Sequence, residues 1–309
     1  VGGVEALIGR LNSTDRWFSS TDFTCQHTAN VVWASAKLNM SGDAHLVSAL
    51  VSGVLARTQQ MNAQELSMTL WAFANLAIED QHVLTTLGNA AARRATFASA
   101  QQMATSAHAL AKVGVLNPAL FTAYAKQVRS RRADFQPRDI AFLAWAYAKL
   151  DYRVSGLFDV VAEVSCELLR QRREVEFSPQ YLTMLLWSFG MLGEGLGSTL
   201  LPLAMSAIEC SVCEFNPRDI TNTAWALAAL NCSDTTVVES IGVRACECLD
   251  DFNAQELLKF LGAFERLGGT NATLNEAVAA RRQLSYNFPV LALSVNLAAA
   301  TPKSYDGTD

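Results

Sequence analysis

One short phrase centred on a tryptophan recurs along this chain at intervals of 37 to 42 residues. Its copies read FTCQHTANVVWASAKL, MNAQELSMTLWAFANL, ASAQQMATSAHALAKV, FQPRDIAFLAWAYAKL, FSPQYLTMLLWSFGML, FNPRDITNTAWALAAL and FNAQELLKFLGAFERL. The central column of these copies, which we call the anchor, holds Trp33, Trp71, His108, Trp145, Trp187, Trp225 and Gly262. Self-similarity at a fixed period is the signature of a protein that stacks equivalent structural units.

Each phrase carries the signals that begin a helix. Nine residues before the anchor, six of the seven copies have a Ser, Thr or Asn that can accept a backbone N–H, and Gln136 is the exception. An acidic residue or a glutamine three positions further on completes a capping box in most copies. Apolar residues at three- and four-residue spacing then predict a second helix in each unit, for example in residues 44–57, 157–169 and 235–249.

A helical hairpin of this length cannot bury its apolar faces alone, so neighbouring hairpins must stack. We therefore predict an all-α fold, an α-solenoid of about seven stacked helical hairpins with 37–38-residue repeats, over residues 23–284. We expect residues 1–22 to be an N-terminal capping segment, and residues 285–309 to be a degenerate C-terminal cap with a disordered tail. The longest interval places extra residues in 151–176, as a longer second helix or loop.

Composition excludes several classes of protein. With 50% hydrophobic and 17% charged residues, the chain can bury a large core and is not a disordered tail. The net charge of −5 excludes a globally basic surface, so any attraction for nucleic acid must come from local charge placement. Residues 182–208 are the most apolar stretch, but three glycines and Pro202 interrupt it. We expect two helices and a turn there, and no membrane span.

The phrase F-x-P-Q/R-x-L/I-x-x-x-x-W-A-x-A-x-L, found between about residues 23 and 284, resembles the octotricopeptide repeat and its relative the heptatricopeptide repeat. The resemblance implies a non-enzymatic protein that binds single-stranded organellar RNA, either mRNA or rRNA, in RNA processing, translation or ribosome assembly. It also implies a location in the mitochondrion or the chloroplast, with ribosomal or other organellar proteins as further partners. Many members carry a C-terminal RAP domain, and we see none in this sequence.

Charge is distributed unevenly on the first helix of each unit. The positions seven and three before the anchor, and one and four after it, fall on one helical face. We call this face the stripe; in the first unit it consists of Gln26, Asn30, Ala34 and Lys37. Its 28 positions hold seven cations and no acid, whereas the other residues include 17 basic and 29 acidic side chains. We expect the anchor to lie on the opposite, buried side, and the small residue after it to allow close approach.

A face with cations and no carboxylates suits RNA, because phosphates pair with cations and bases pair with amide, guanidinium or flat apolar groups. The position seven before the anchor is always Gln or Arg, and the position three before it varies, as a reader of one base per repeat requires. We predict that Asn30, Thr105 and Asn222 read base edges. Phe142 is predicted to stack, and the cations to hold phosphate. The predicted RNA-binding residues are Gln26, Asn30, Lys37, Gln64, Asn75, Gln101, Thr105, Lys112, Arg138, Phe142, Lys149, Gln180, Arg218, Asn222, Gln255, Lys259 and Arg266.

The stripe has a second interpretation, since a solvated surface or a contact with a partner protein would also fit it. Its apolar members Met68, Phe142 and Met184 suit a peptide. The alternative function is therefore a protein–protein interaction scaffold within an organellar multisubunit complex.

A second set of arginines lies near the ends of the second helices. Such cations can complement the helix dipole or, alternatively, contact phosphate. They are Arg57, Arg93, Arg94, Arg129, Arg131, Arg132, Arg170, Arg172, Arg173, Arg281 and Arg282.

No pattern in the sequence indicates catalysis or metal binding. Cys210-x-x-Cys213 and Cys246-x-Cys248 could form a zinc site between two units, but residues two apart on a helix point to different sides. His108 replaces an anchor tryptophan and is expected to be a packing residue. The acids near the helix starts repeat because helices need caps. We therefore expect no catalytic residue, no metal, no cofactor and no enzymatic activity.

Overall fold

A computed structural model describes residues 23–171, 177–232 and 234–269. Over these residues the secondary structure consists of thirteen α-helices and three 3₁₀ helices, without a β-strand. The all-α prediction is thereby confirmed. The predicted N-terminal capping segment, the C-terminal cap and tail, and the second helix of the seventh unit lie outside the described residues.

The helices form hairpins in the predicted order. The first helices of the units are α1 (Cys25–Lys37), α3 (Ala63–Asn75), α5 (Ala100–Lys112), α7 (Pro137–Lys149), α9 (Pro179–Leu192), α11 (Pro217–Ala229) and α13 (Ala254–Arg266). The second helices are α2 (Ala44–Arg57), α4 (Gln81–Arg93), α6 (Pro118–Ser130), α8 (Leu157–Arg170), α10 (Gly197–Ser211) and α12 (Thr235–Glu247). Short 3₁₀ helices occupy Arg132–Asp134, Val212–Glu214 and Leu249–Asp251.

The first helices begin at the residues that the sequence predicts. At the start of α3, Asn62 Oδ1 accepts the N–H of Glu65 at 3.0 Å, and the Glu65 carboxylate accepts the N–H of Asn62 at 2.8 Å. The same reciprocal pair recurs before α13. At Gln136, the exception in the sequence, the Asp139 carboxylate accepts the backbone N–H at 3.3 Å. Each pair satisfies N–H groups that a helix start leaves without an intrahelical partner.

The most apolar stretch folds as two helices and a turn, as predicted. Helix α9 ends at Gly193, whose φ of 64° favours glycine, and α10 begins at residue 197. Within the part of the chain that the structure describes, none of the helices combines the length and the apolar character needed to cross a membrane.

The chain divides into two compact units, residues 1–160 and 161–309. In the first unit, α1, α3, α5 and α7 pack in series, and each makes its most extensive contacts with a neighbouring first helix of that unit. In the second unit, α9, α11 and α13 pack in the same way. This serial packing of hairpins confirms an α-solenoid architecture. The extent of one array over residues 23–284 stays a prediction.

The residue after the anchor is buried in the layer of first helices. Its exposed fraction is 4% or less in six of the seven copies: Ala72, Ala109, Ala146, Ser188, Ala226 and Ala263. Between α9 and α11 the backbones approach so closely that a Cβ at Gly190 would lie 3.4 Å from the Cα of Ala226. The small side chain therefore serves the approach of the neighbouring helix. Our expectation of its location on the open stripe is wrong for these six residues.

The extra residues in 151–176 do not lengthen the second helix. Helix α8 has 14 residues, as α2 does. The additional length lies in the connections before and after α8, and residues 172–176 of the second connection are outside the described residues. The loop alternative of the prediction is therefore the one that the structure supports.

Candidate nucleic-acid interface

In four of the seven copies the open face of the first helix includes the anchor. In α3, Gln64 is exposed, and Met68, Trp71 and Asn75 are partly exposed, whereas the residue after the anchor is buried. These four positions are four, three and four residues apart, so they lie on one side of the helix. Placing the anchor on the buried side was wrong for four of the seven copies. The anchors that keep exposed surface are Trp33, Trp71, Trp225 and Gly262.

All seventeen predicted RNA-binding residues keep solvent-accessible surface. Eight are exposed: Gln26, Asn30, Lys37, Gln64, Gln101, Gln255, Lys259 and Arg266. Nine are partly exposed: Asn75, Thr105, Lys112, Arg138, Phe142, Lys149, Gln180, Arg218 and Asn222. All seven stripe cations are in this set, because none of them occupies the buried position after the anchor. Their contact with RNA stays a prediction. Of the apolar stripe residues that suited a peptide, Met184 is fully buried.

A hydrogen bond between the neighbouring first helices α3 and α5 joins two stripe residues. Lys112 Nζ donates a hydrogen bond to Asn75 Oδ1 at 3.0 Å, and both residues stand four positions after their anchors. The Asn75 amide nitrogen in turn donates to the carbonyl of Trp71 at 2.8 Å, which orients the oxygen towards Lys112. The acceptor is a neutral amide, so the ammonium is positioned without being neutralised. It can still attract an anion.

His108 is a packing residue, as expected. Its ring stacks on Phe142 with 4.3 Å between centroids and contacts Trp145 at 4.7 Å. Burial and, to a lesser degree, the positive charges of Lys112 and Arg138 lower the pKa of His108 to about 4. The ring is therefore neutral near pH 7. The Arg138 guanidinium also lies 5.1 Å from the Phe142 ring, so Phe142 has aromatic and cationic partners within the protein.

Several arginines at the ends of the second helices bind the backbone. The acceptor is the carbonyl of the residue just before the cap of the first helix in the same hairpin, at 2.8 to 3.0 Å. These bonds join Arg57 to Phe23, Arg94 to Met61, Arg131 to Ala98 and Arg244 to Phe215. We call these four arginines the clamp arginines. They hold the two ends of a hairpin together. This favours a role in stabilising the fold over a role in contacting phosphate.

The sequence did not indicate Arg244 as a member of this group of arginines. It lies eight residues before Phe252, which precedes the next cap, whereas each of the other three clamp arginines lies four residues before the equivalent residue. Arg172, Arg173, Arg281 and Arg282 lie outside the described residues. Arg93 and Arg170 are exposed, and Arg93 Nη2 donates to the Gln59 side chain at 2.7 Å.

The cysteines considered for zinc binding have different environments. Cys210 and Cys213 are exposed, whereas Cys248 is buried and its Sγ donates to the Arg244 carbonyl at 3.2 Å. Burial raises the pKa of the Cys248 thiol, so the thiolate that a metal needs is disfavoured. Among the residues that the structure describes, no three His, Cys, Asp or Glu side chains are grouped so that they could hold a metal ion.

The family model described as RNA-editing substrate-binding complex 6 protein matches this chain over residues 10–242 and again over residues 80–286. Overlapping matches are expected of tandem repeats, because equivalent units can be aligned in more than one register. The match is to this family and not to the octotricopeptide repeat proteins that the repeated phrase resembles. No curated protein matches the chain significantly.

Proposed function

This chain belongs to the RNA-editing substrate-binding complex 6 protein family, and on that premise we propose that it is an RNA-binding component of an RNA-editing complex. We place it in the mitochondrion, because RNA-editing complexes of this kind are mitochondrial in kinetoplastids. Its ligand is single-stranded RNA, either mRNA or rRNA. Other proteins of the complex are its further partners.

The observation that carries this proposal is the accessible row of cations on the first helices. Seven Lys and Arg side chains and no acid occupy the stripe of a protein whose net charge is −5. Phosphate binding releases counterions and depends on such cations, and a carboxylate beside them would oppose it. Of the Gln and Arg side chains seven positions before the anchor, four are exposed and three are partly exposed, and both residue types can make paired hydrogen bonds to bases.

We also propose that the chain is not an enzyme. The acids that recur in the first helices are used by the backbone, since Glu65 and Asp139 accept the N–H groups of the cap residues Asn62 and Gln136. Burial raises the pKa of Asp139, and its hydrogen bond and Arg138 oppose that shift. A carboxylate that caps a helix in several equivalent units has a structural reason to be present.

A scaffold role is the second candidate function. The observation in its favour is the exposure of large apolar side chains on the connections, where Phe97 is 81% exposed and Leu116 is 41% exposed. Exposed apolar groups on a member of a complex can be contact points for protein partners. A chain that binds partner proteins but shows no affinity for RNA would favour this role over RNA binding.

Charge reversal on the stripe tests the RNA-binding proposal. We expect Lys112→Glu, Lys149→Glu and Arg266→Glu together to weaken the binding of a single-stranded RNA oligonucleotide by more than about tenfold. The slope of log affinity against log salt should also become shallower by about 2, at about 0.7 per phosphate contact. Fluorescence anisotropy in rising potassium chloride measures both, and circular dichroism checks that helicity is kept.

A second triple variant provides the matched control. Arg93→Glu, Lys126→Glu and Arg170→Glu make the same change in net charge at exposed positions of the second helices. We expect this variant to bind RNA within about threefold of the wild-type chain, because it leaves the stripe intact. Equal losses in the two variants would contradict a specific role for the stripe, and a flat salt response of the wild type would contradict RNA binding through its cations.

A further inference from the structure

Equivalent anchor tryptophans differ greatly in exposure. Trp145 and Trp187 are each 1% exposed, as expected of core residues. Trp33 is 41% exposed, and Trp71 in the next unit is partly exposed. Tryptophan has the largest aromatic face of the amino acids and is usually buried for most of its area. The indole of Trp33 therefore has a face that the described residues 23–171, 177–232 and 234–269 leave uncovered.

Lys37 links the two open tryptophans. Its Nζ lies 5.8 Å from the centroid of Trp33 on the same helix and 4.9 Å from the centroid of Trp71 on α3. Both distances are within the range at which an ammonium group is attracted to an aromatic face. Trp33, Lys37 and Trp71 thus form one site from two adjacent first helices, which we call the tryptophan–lysine cluster.

The surroundings of the tryptophan–lysine cluster are polar and free of acids on α1. Gln26, Asn30 and Ala34 are all exposed beside Trp33, whereas the residue equivalent to Ala34 is buried in the other six copies. Helix α1 contains no acidic residue. A flat aromatic face, an ammonium group and two side-chain amides are the groups that bind a base, a phosphate and a base edge, respectively.

We propose that the tryptophan–lysine cluster is a base-stacking site, at which an unstacked nucleobase of single-stranded RNA lies on Trp33 and the adjoining phosphate meets Lys37. The inference rests on the proposed RNA-binding function and adds to it a contact that does not depend on base identity, because every base has a π face. Residues three positions before the anchors would then select bases, while the tryptophan–lysine cluster holds the RNA strand at the first repeat.

The stacking role distinguishes Trp33 from Phe142, which the sequence favoured for stacking. Phe142 is already stacked on His108 at 4.3 Å. A base would have to displace the His108 ring from Phe142, whereas no aromatic ring of the described residues is stacked on Trp33. Trp33 has a larger ring and a larger open area, so it is the better platform for a base.

The test compares an oligouridylate with an oligonucleotide of equal length that keeps the ribose–phosphate backbone but lacks the bases. We expect Trp33→Ala to weaken binding of the oligouridylate by about tenfold, which is typical for the loss of one stacking contact. Binding of the base-free oligonucleotide should be unchanged. Trp33→Phe should recover part of the affinity. Oligouridylate should quench the tryptophan fluorescence of the wild type, and Trp33→Ala should reduce that quenching.

Leu116→Ala is the matched control, because Leu116 is also 41% exposed but lies away from the stripe, in the connection between α5 and α6. We expect it to leave both affinities unchanged. If Trp33→Ala binds oligouridylate as tightly as the wild type does, while salt-dependent RNA binding persists, the stacking site is refuted and the proposed function stands. If the wild type binds neither oligonucleotide, both proposals are refuted.

Discussion

The helix pairs α1–α3 and α5–α7 place the same repeat positions in opposite environments. Between α1 and α3, Trp33 is 41% exposed and shares the ammonium of Lys37 with Trp71. Between α5 and α7, the anchors His108 and Trp145 are 7% and 1% exposed and contact each other at 4.7 Å. Equivalent positions of a repeat therefore do not share one role. The neighbouring helix decides whether a ring packs in the core or is exposed to solvent.

The largest expected effect is a difference in stability when the exposed Trp33 and the buried Trp145 are each replaced by alanine. We expect Trp145→Ala to lower the free energy of unfolding by about 3–5 kcal/mol, because it leaves a cavity in a closely packed layer. Trp33→Ala should lower it by less, about 1–2 kcal/mol, since 41% of its surface is already in water and less apolar area is lost from packing. Urea unfolding followed by circular dichroism measures both values. Equal losses would show that the two positions have the same structural role.

The buried imidazole adds a pH dependence to the α5–α7 pair. The pKa of His108 is lowered from 6.5 to about 4 in the folded protein, first by burial. The unfolded chain therefore binds a proton more readily, and stability is lost as pH falls from the unfolded pKa towards the folded one. Between pH 7 and pH 5 the wild type should lose about 2 kcal/mol more than His108→Phe does.

Unfolding of both chains at the two pH values isolates this effect. Carboxylates that titrate in the same range are common to both chains, so the difference belongs to His108. Identical pH dependence in the wild type and the variant would contradict the burial of a neutral imidazole.

Two neighbouring arginines at the end of the second helix α4 also differ in their contacts. Arg94 donates to the carbonyls of Met61 and Gln59 at 3.0 and 3.1 Å, whereas Arg93 bonds the exposed Gln59 side chain. We expect Arg94→Ala to lower the free energy of unfolding by about 1–2 kcal/mol, because a charged donor to two carbonyls is removed. Arg93→Ala should change it by less than about 0.5 kcal/mol. A similar loss of unfolding free energy in both variants would contradict a stabilising role that is specific to the clamp arginines.

The helices and their starts could be predicted from the sequence because caps and apolar periodicity are local. Asn62 and Glu65 form the predicted reciprocal pair, and α9 and α10 divide the apolar stretch as expected. The exposure of the anchor was mispredicted for a different reason: its apolar character suggested the core, although its spacing already places it on the same side of the helix as Gln64 and Asn75. Whether a given anchor is then buried depends on the neighbouring helix.

Contacts between repeats account for the other differences from the sequence prediction. The burial of Ala72 or Ala226 depends on how closely the next first helix approaches, which the periodicity of one helix does not contain. The bond from Arg244 to Phe215 depends on how a hairpin closes. For the candidate site, the cations were found by their spacing, whereas the pairing of Lys37 with two indoles required the positions of two helices.

The smallest effect on stability is expected at the bond between Lys112 and Asn75, which also tests why the stripe lacks acids. Asn75→Asp replaces the neutral acceptor, 3.0 Å from Lys112 Nζ, by a carboxylate. A partly exposed ion pair adds about 0–1 kcal/mol, whereas the carboxylate loses the bond that the Asn75 amide donates to the Trp71 carbonyl, which is worth about 0.5–1.5 kcal/mol, so the free energy of unfolding should change by less than about 1 kcal/mol. RNA affinity should nevertheless fall several-fold, because one cation is neutralised and a negative charge is added beside phosphate.

Asn75→Ala, which removes the acceptor without adding charge, should bind RNA nearly as well as the wild type. If Asn75→Asp binds RNA as tightly as Asn75→Ala does, the absence of carboxylates from the stripe has no bearing on RNA binding at this position.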